Sequence, residues 1–154
     1  MSTSEAPLAG ILVADFSRVL AGPLATMTLA DLGARVIKVE RPEVGDETRS
    51  WGPPFSASGS TYFESVNRNK ESVCLDLTDP GDLHLARTLI GRADVVVENF
   101  KPGGMNKLGL GYDTVRAANP GVVYTSISGF GSTGGRDLLG YCPGGLQFPD
   151  KIMG

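Results

Sequence analysis

The stretch SISGFGSTGGRD, residues 126–137, contains Gly129-x-Gly131-x-x-Gly134 directly after an apolar, strand-like run from Val122 to Ile127. Glycines at this spacing let a backbone approach a pyrophosphate while the next helix points its N-terminus at the charge. The chemistry on offer is therefore dinucleotide binding. The downstream residues argue against it. GRDLLGYCPGGLQFPD is broken by Gly140, Pro143, Gly144 and Gly145, so no helix of useful length is expected there. The first strand–helix unit, where such a fingerprint usually sits, carries SRVLAGP instead. The match is read as incidental.

Other groups with chemical potential are few. His84 is the one histidine and falls on the polar side of a predicted helix. A zinc site of ordinary spacing has no ligands to draw on, because the cysteines, Cys74 and Cys142, lie far apart. A serine triad would need His84 as its base, and no G-x-S-x-G elbow is present. Asp15 stands near the end of the first strand, where capping of the adjoining loop competes with catalysis. Lys38, Arg41 and Lys70 fall at loop and strand ends, where they could meet a phosphate or be solvated charges.

The elements that must position these groups alternate. GILVADF (10–16) and RVIKVE (35–40) read as buried strands, with a helix between them over AGPLATMTLADLGA. In that helix Gly22 can cap, Pro23 suits the first turn, and Leu24, Met27 and Leu32 form an apolar side with Leu29 at its margin. Gly33 ends it. A long loop rich in Pro, Gly and Ser, RPEVGDETRSWGPPFSASGS (41–60), comes next, of the kind that is usually functional or disordered. ESVCLDL (71–77) is a strand, and Asp79 caps a helix that carries Leu83, Ala86, Leu89 and Ile90 on one face. DVVVEN (94–99), a short helix over 112–118 and GVVYTSIS complete the series. Strand and helix in alternation imply a Rossmann-like, mostly parallel α/β sheet with helices on both faces.

A chain of 154 residues can bury a single core. Net charge is −3, which offers no global support for nucleic-acid or anionic-membrane partners. Two cysteines make no disulfide framework and suit a reduced, cytoplasmic setting. The opening MSTSEAPLAG has neither the basic nor the apolar region of a signal peptide, and no apolar run reaches membrane-spanning length.

Four blocks together carry a resemblance. They are LAGILVADFSRVLAGPLATMTLADLGARVIKVERPEVGDETRSWGP, YFESVNRNKESVCLDL, ADVVVENFKPGGMNKLGLGYDTV and NPGVVYTSISGFGSTG, in that order over residues 8 to 141. The chain resembles the N-terminal part of the family III CoA-transferases, a group that includes the α-methylacyl-CoA racemases. For this family GFGSTG resembles a turn after a strand, not a dinucleotide cradle.

The resemblance implies an acyl-CoA and a carboxylic acid as substrates, coenzyme A as the bound group and no metal. It places Val19 and Leu20 beside the thioester. Arg41 is placed at the nucleotide end of CoA, where a guanidinium can pair with phosphate or stack on adenine. Leu75 and Thr78 resemble the rim of the adenine pocket, and Asn99 and Phe100 resemble contacts to pantetheine. Lys107, with Leu108 beside it, resembles a basic position for the CoA phosphates. Tyr141 resembles an aromatic or histidine position near the thioester. Leu75 and Phe100 could equally be core, and Lys107 an exposed charge.

The mechanism implied is covalent, through an aspartate that lies downstream of Tyr141 in a glycine–aspartate motif. Asp137 and Asp150 stand in no matching context, so no catalytic residue is assigned within the chain. The expectation is a CoA-binding domain over 1–141, truncated relative to the family, with an aberrant tail over 142–154. Cys142 stands there in place of an expected aspartate. The family's interlocked homodimer needs further residues. Tyrosine at 141 favours transferase over racemase, because a phenol with an ordinary pKa of about 10 is a poor base at neutral pH. A racemase fragment and a non-catalytic CoA-binding module remain the alternatives.

Overall fold

A computed structural model describes residues 6–129, 141–142 and 145–146. Its centre is a five-stranded sheet with every neighbouring pair parallel. Strand β1 (Leu12–Asp15) pairs with β2 (Arg35–Glu40) on one side and with β6 (Val95–Glu98) on the other. Strand β5 (Lys70–Cys74) extends the sheet beyond β2, and β7 (Val123–Ser126) extends it beyond β6. The order β5-β2-β1-β6-β7 reverses direction between β1 and β6. That is the switch point where doubly wound sheets open a crevice at the carboxyl ends of their strands.

Side chains alternate across the sheet and build a core on each face. Ala14 and Val96 point into one core, shared with Ala86 and Ile90 of α3 (Pro80–Arg92) and Val115 of α5 (Tyr112–Ala118). Val13 and Val97 point into the other, beneath α1 (Ala21–Asp31), with Ala30, Ala34 and Val36. Helices therefore cover both faces, as the alternation of elements implies.

The expected elements recur with local corrections. Helix α3 starts as read, with the Asp79 carboxylate accepting the Gly81 and Asp82 amides and Pro80 in its first turn. Helix α1 does not start as read. It begins at Ala21 behind Leu20, with no side-chain cap, and its buried face is Gly22, Pro23, Thr26, Met27 and Ala30. Leu24 and Leu32 remain 45% and 43% exposed. A Cβ at residue 22 would overlap Cβ and Oγ of Ser17, so the first turn of the helix lies this close to the β1 turn only because glycine stands there.

The long loop after β2 is structured. Over residues 41–60 it holds a 3-10 turn at Glu47–Ser50 and a hairpin of β3 (Phe55–Ser56) and β4 (Gly59–Ser60), and helix α2 (Thr61–Asn67) follows it. A single helical turn, α4 (Gly104–Lys107), lies beyond β6. Backbone pairing joins β8 (Tyr141–Cys142) to β9 (Gly145–Leu146). Residues 130–134 of the glycine fingerprint, Asp137, Asp150 and the Tyr141 side chain lie outside the described residues. Among the described residues no helix is long and apolar enough to cross a membrane.

Candidate functional site

At the carboxyl edge of β1, β2, β5 and β6 lies a cleft of about 650 Å³. Arg18, Arg41, Leu75, Thr78, Phe100 and Leu108 line it. Each comes from the segment just after a strand or from α4 and its exit, so the parallel sheet itself gathers residues that are distant in sequence. Phe100 and Leu75 supply apolar surface. The Arg18 guanidinium lies 5.5 Å from the centre of the Phe100 ring, close enough for cation–π attraction. Glu43 and Asp76 also line the cleft. The Asp76 carboxylate already accepts the amide and hydroxyl of Thr78 at 2.9 and 2.7 Å, which hold its pKa below the ordinary carboxylate value.

Five residues expected from the resemblance meet here: Arg41, Leu75, Thr78, Phe100 and Leu108. Four others do not line the cleft. Val19 and Leu20 sit in the turn after β1, one buried and the other half-buried. Asn99 spends its carboxamide on that turn: Oδ1 accepts the Arg18 amide at 2.9 Å, and Nδ2 donates to the Arg18 carbonyl at 2.7 Å. Lys107 is exposed on α4. Phe100 also faces a second cavity, of about 320 Å³, shared with Glu98, Met105, Tyr112 and Tyr124. There the Glu98 carboxylate accepts from the Ser126 hydroxyl and the Phe100 amide. Burial and the nearby Glu98 push the Tyr124 phenol above its ordinary pKa.

Arg18 escaped the sequence reading. The signal available was a cation immediately after the first strand, in SRVLAGP, where a parallel sheet presents its ligands. Two of the three cations offered to a phosphate are withdrawn. Lys38 and Lys70 are neither solvated nor open to a ligand, with side chains 1% and 2% exposed. Lys38 Nζ pairs with Asp46 at 2.9 Å. Lys70 Nζ pairs with Asp15 at 3.0 Å and donates to Pro23 O and Asn67 Oδ1. Burial is the main reason that the Lys70 pKa falls to about 8, against the pull of Asp15.

Asp15 caps its loop, accepting the Ser17 amide at 2.9 Å and both the Ser17 and Thr26 hydroxyls. His84 is exposed on α3. Beneath the cleft Glu40 takes both arms of Arg49 at 2.7 Å and the Ser72 hydroxyl at 2.5 Å. Burial opposes the Glu40 charge, yet these donors and the Asp46 amide hold its pKa down to about 2. Among the described residues no group of His, Cys, Asp and Glu side chains could hold a metal ion.

Sheet and cleft together define an α/β domain with an amphipathic crevice at its switch point. The chain belongs to CoA-transferase family III, whose model matches residues 8–141. It is 53% identical over 131 residues to succinyl-CoA:glutarate CoA-transferase of Mus musculus, covering 85% of this chain and 30% of that protein. It is 48% identical over 130 residues to acetyl-CoA:oxalate CoA-transferase of Acetobacter aceti, covering 84% and 33%. Among solved structures, a CAIB/BAIF family protein from Brucella suis superposes with a TM-score of 0.82 at 47% identity, covering 87% of this chain and 36% of that one. The chain thus spans about a third of the length of these relatives.

Proposed function

We propose that residues 1–141 form the coenzyme-binding part of a CoA-transferase, which moves CoA between an acyl-CoA thioester and a carboxylic acid. The observation that carries this is the amphipathic cleft: two guanidinium groups, from Arg18 and Arg41, stand over apolar walls from Leu75, Phe100 and Leu108. A polyanion with a flat heterocycle suits such a surface, since guanidinium groups pair with phosphate and the apolar walls accept the ring. In this reading Arg41 meets the phosphates and Leu75 and Thr78 rim the base. Asn99 and Phe100 lie along the pantetheine arm, Lys107 and Leu108 flank the phosphates, and Val19, Leu20 and Tyr141 stand nearest the thioester.

Transfer would follow the family's covalent course. A carboxylate oxygen attacks the thioester carbon and the CoA thiolate leaves, giving a mixed anhydride. The thiolate then attacks the enzyme's acyl carbon, expels the donor acid and forms an enzyme–CoA thioester. The acceptor acid reverses both steps. Asp15, Glu40, Asp46 and Glu98 are all buried and hydrogen-bonded, so none of them is poised as that nucleophile. The family resemblance assigns the attack to an aspartate in the part of the family's length beyond Tyr141. A homodimer and a cytoplasmic setting belong to the same reading.

Calorimetric titration with CoA and with succinyl-CoA tests the binding. Both should bind, and removing the 3′-phosphoadenosine portion should abolish most of the affinity. If neither binds, the coenzyme reading fails. Incubation of the full protein with succinyl-CoA and glutarate, followed by mass spectrometry for glutaryl-CoA, tests the transfer.

A further inference from the structure

The turn Ser17–Val19 delivers Arg18 to the cleft, and side chains from four separate positions grip its backbone. Asp15 accepts the Ser17 amide. Lys38 Nζ, from β2, donates to the Ser17 carbonyl at 2.8 Å. Asn99, after β6, takes the amide and the carbonyl of Arg18. Asp46, from the loop after β2, accepts the Val19 amide at 3.3 Å. Val19 needs the grip, because its φ of +71° lies in the left-handed region, which a β-branched residue adopts only when its surroundings impose it.

Lys38 and Asp46 form a fully buried ion pair. A pair of that kind is a poor source of net stability, since desolvation of two charges offsets their attraction and apolar replacements are often as stable. An apolar pair would supply neither the donor to Ser17 nor the acceptor for Val19. Asp46 also ties the turn to the next loop, because its other oxygen accepts the Thr48 amide and hydroxyl at 3.0 and 2.8 Å. The loop that carries Arg41 and the turn that carries Arg18 thus share one buried carboxylate.

We propose that Asp46, its charge balanced by the buried Lys38, is a positioning residue for the ligand cleft, which holds the Ser17–Val19 turn, left-handed at Val19, so that Arg18 and Arg41 face a bound polyanion together. The proposal rests on the coenzyme reading for its ligand and not for its geometry.

Two uncharged double variants separate positioning from mere stability. Lys38→Met with Asp46→Asn keeps an acceptor for Val19 and a cap for Thr48, whereas Lys38→Met with Asp46→Leu keeps neither. Amide hydrogen exchange at residues 17–20 and CoA affinity are measured in both and in the parent protein. The first variant should bind CoA within about threefold of the parent. The second should bind on the order of tenfold more weakly, the scale set by releasing one strained residue. Its amides at 17–20 should exchange faster while those of β1 and β2 keep their protection. Equal exchange at 17–20 in the two variants overturns the proposal, as does equal CoA affinity in a parent that binds. If the parent fails to bind CoA, the coenzyme reading falls and the exchange comparison alone decides the positioning role.

Discussion

The carboxamide of Asn99 closes on the backbone of Arg18 from both sides, accepting from its amide at 2.9 Å and donating to its carbonyl at 2.7 Å. The two residues are 81 apart in sequence and sit on either side of the switch between β1 and β6. Asn99→Ala should cost about 1–3 kcal/mol in urea unfolding, the value of two half-buried hydrogen bonds. Asn99→Asp keeps the acceptor but sets a carboxylate oxygen against the Arg18 carbonyl, so at neutral pH it should be no more stable than Asn99→Ala.

Arg41 tests the cleft without disturbing the fold. It is exposed, and its replacement by Ala should leave the melting temperature within about 1 °C of the parent, as surface substitutions usually do. CoA affinity should weaken on the order of tenfold by calorimetry, with the loss shrinking as salt is raised. Arg41→Lys should recover only part, because a point charge cannot pair in two places or stack.

Glu40 predicts an acid limb to stability. Its folded pKa of about 2 lies below the ordinary 4.5, so the folded state holds its carboxylate ionised to lower pH than the unfolded chain does. The contribution is complete above the unfolded value and is lost as pH falls from about 4.5 through 2. Its size is on the order of 3 kcal/mol. Urea unfolding across pH 2.5–6 should show this slope. Glu40→Gln should flatten it while lowering stability at neutral pH, since the Ser72 hydroxyl and the Arg49 fork lose their anion.

Gly22 predicts a steric limit. Its Cβ would overlap Ser17, so Gly22→Ala should destabilise by about 1–3 kcal/mol despite the better helix propensity of alanine. Because the strain falls on the gripped turn, CoA affinity should drop as well. Leu24→Ala, on the exposed side of α1, is the control and should change stability by less than about 0.5 kcal/mol.

Much of the scaffold is legible along the chain. Strand β2 and helix α5 lie where their patterns place them, and Asp79 with Pro80 marks the start of α3, because caps and apolar periods are local properties. Helix α1 departs from its pattern in its buried face, which keeps Met27 but leaves Leu24 and Leu32 exposed, while Gly22 lies directly against Ser17. Helix α2 directly follows the long loop, capped by Ser60, and its seven residues are too few for an apolar period to mark it in the sequence.

The candidate site divides the same way. Sequence alone determined the alternating α/β order and the family blocks, and the resemblance those blocks carry picked out Arg41, Leu75, Thr78, Phe100 and Leu108, which the fold brings to one cleft. Only the tertiary structure decided that Lys38 and Lys70 are buried partners of carboxylates, that Asn99 serves the Arg18 backbone and that Arg18 reaches the cleft. The physical reason is that a charge's surroundings are set by whichever distant segments the fold brings within hydrogen-bond reach of it, and a residue's neighbours in sequence carry no record of that approach.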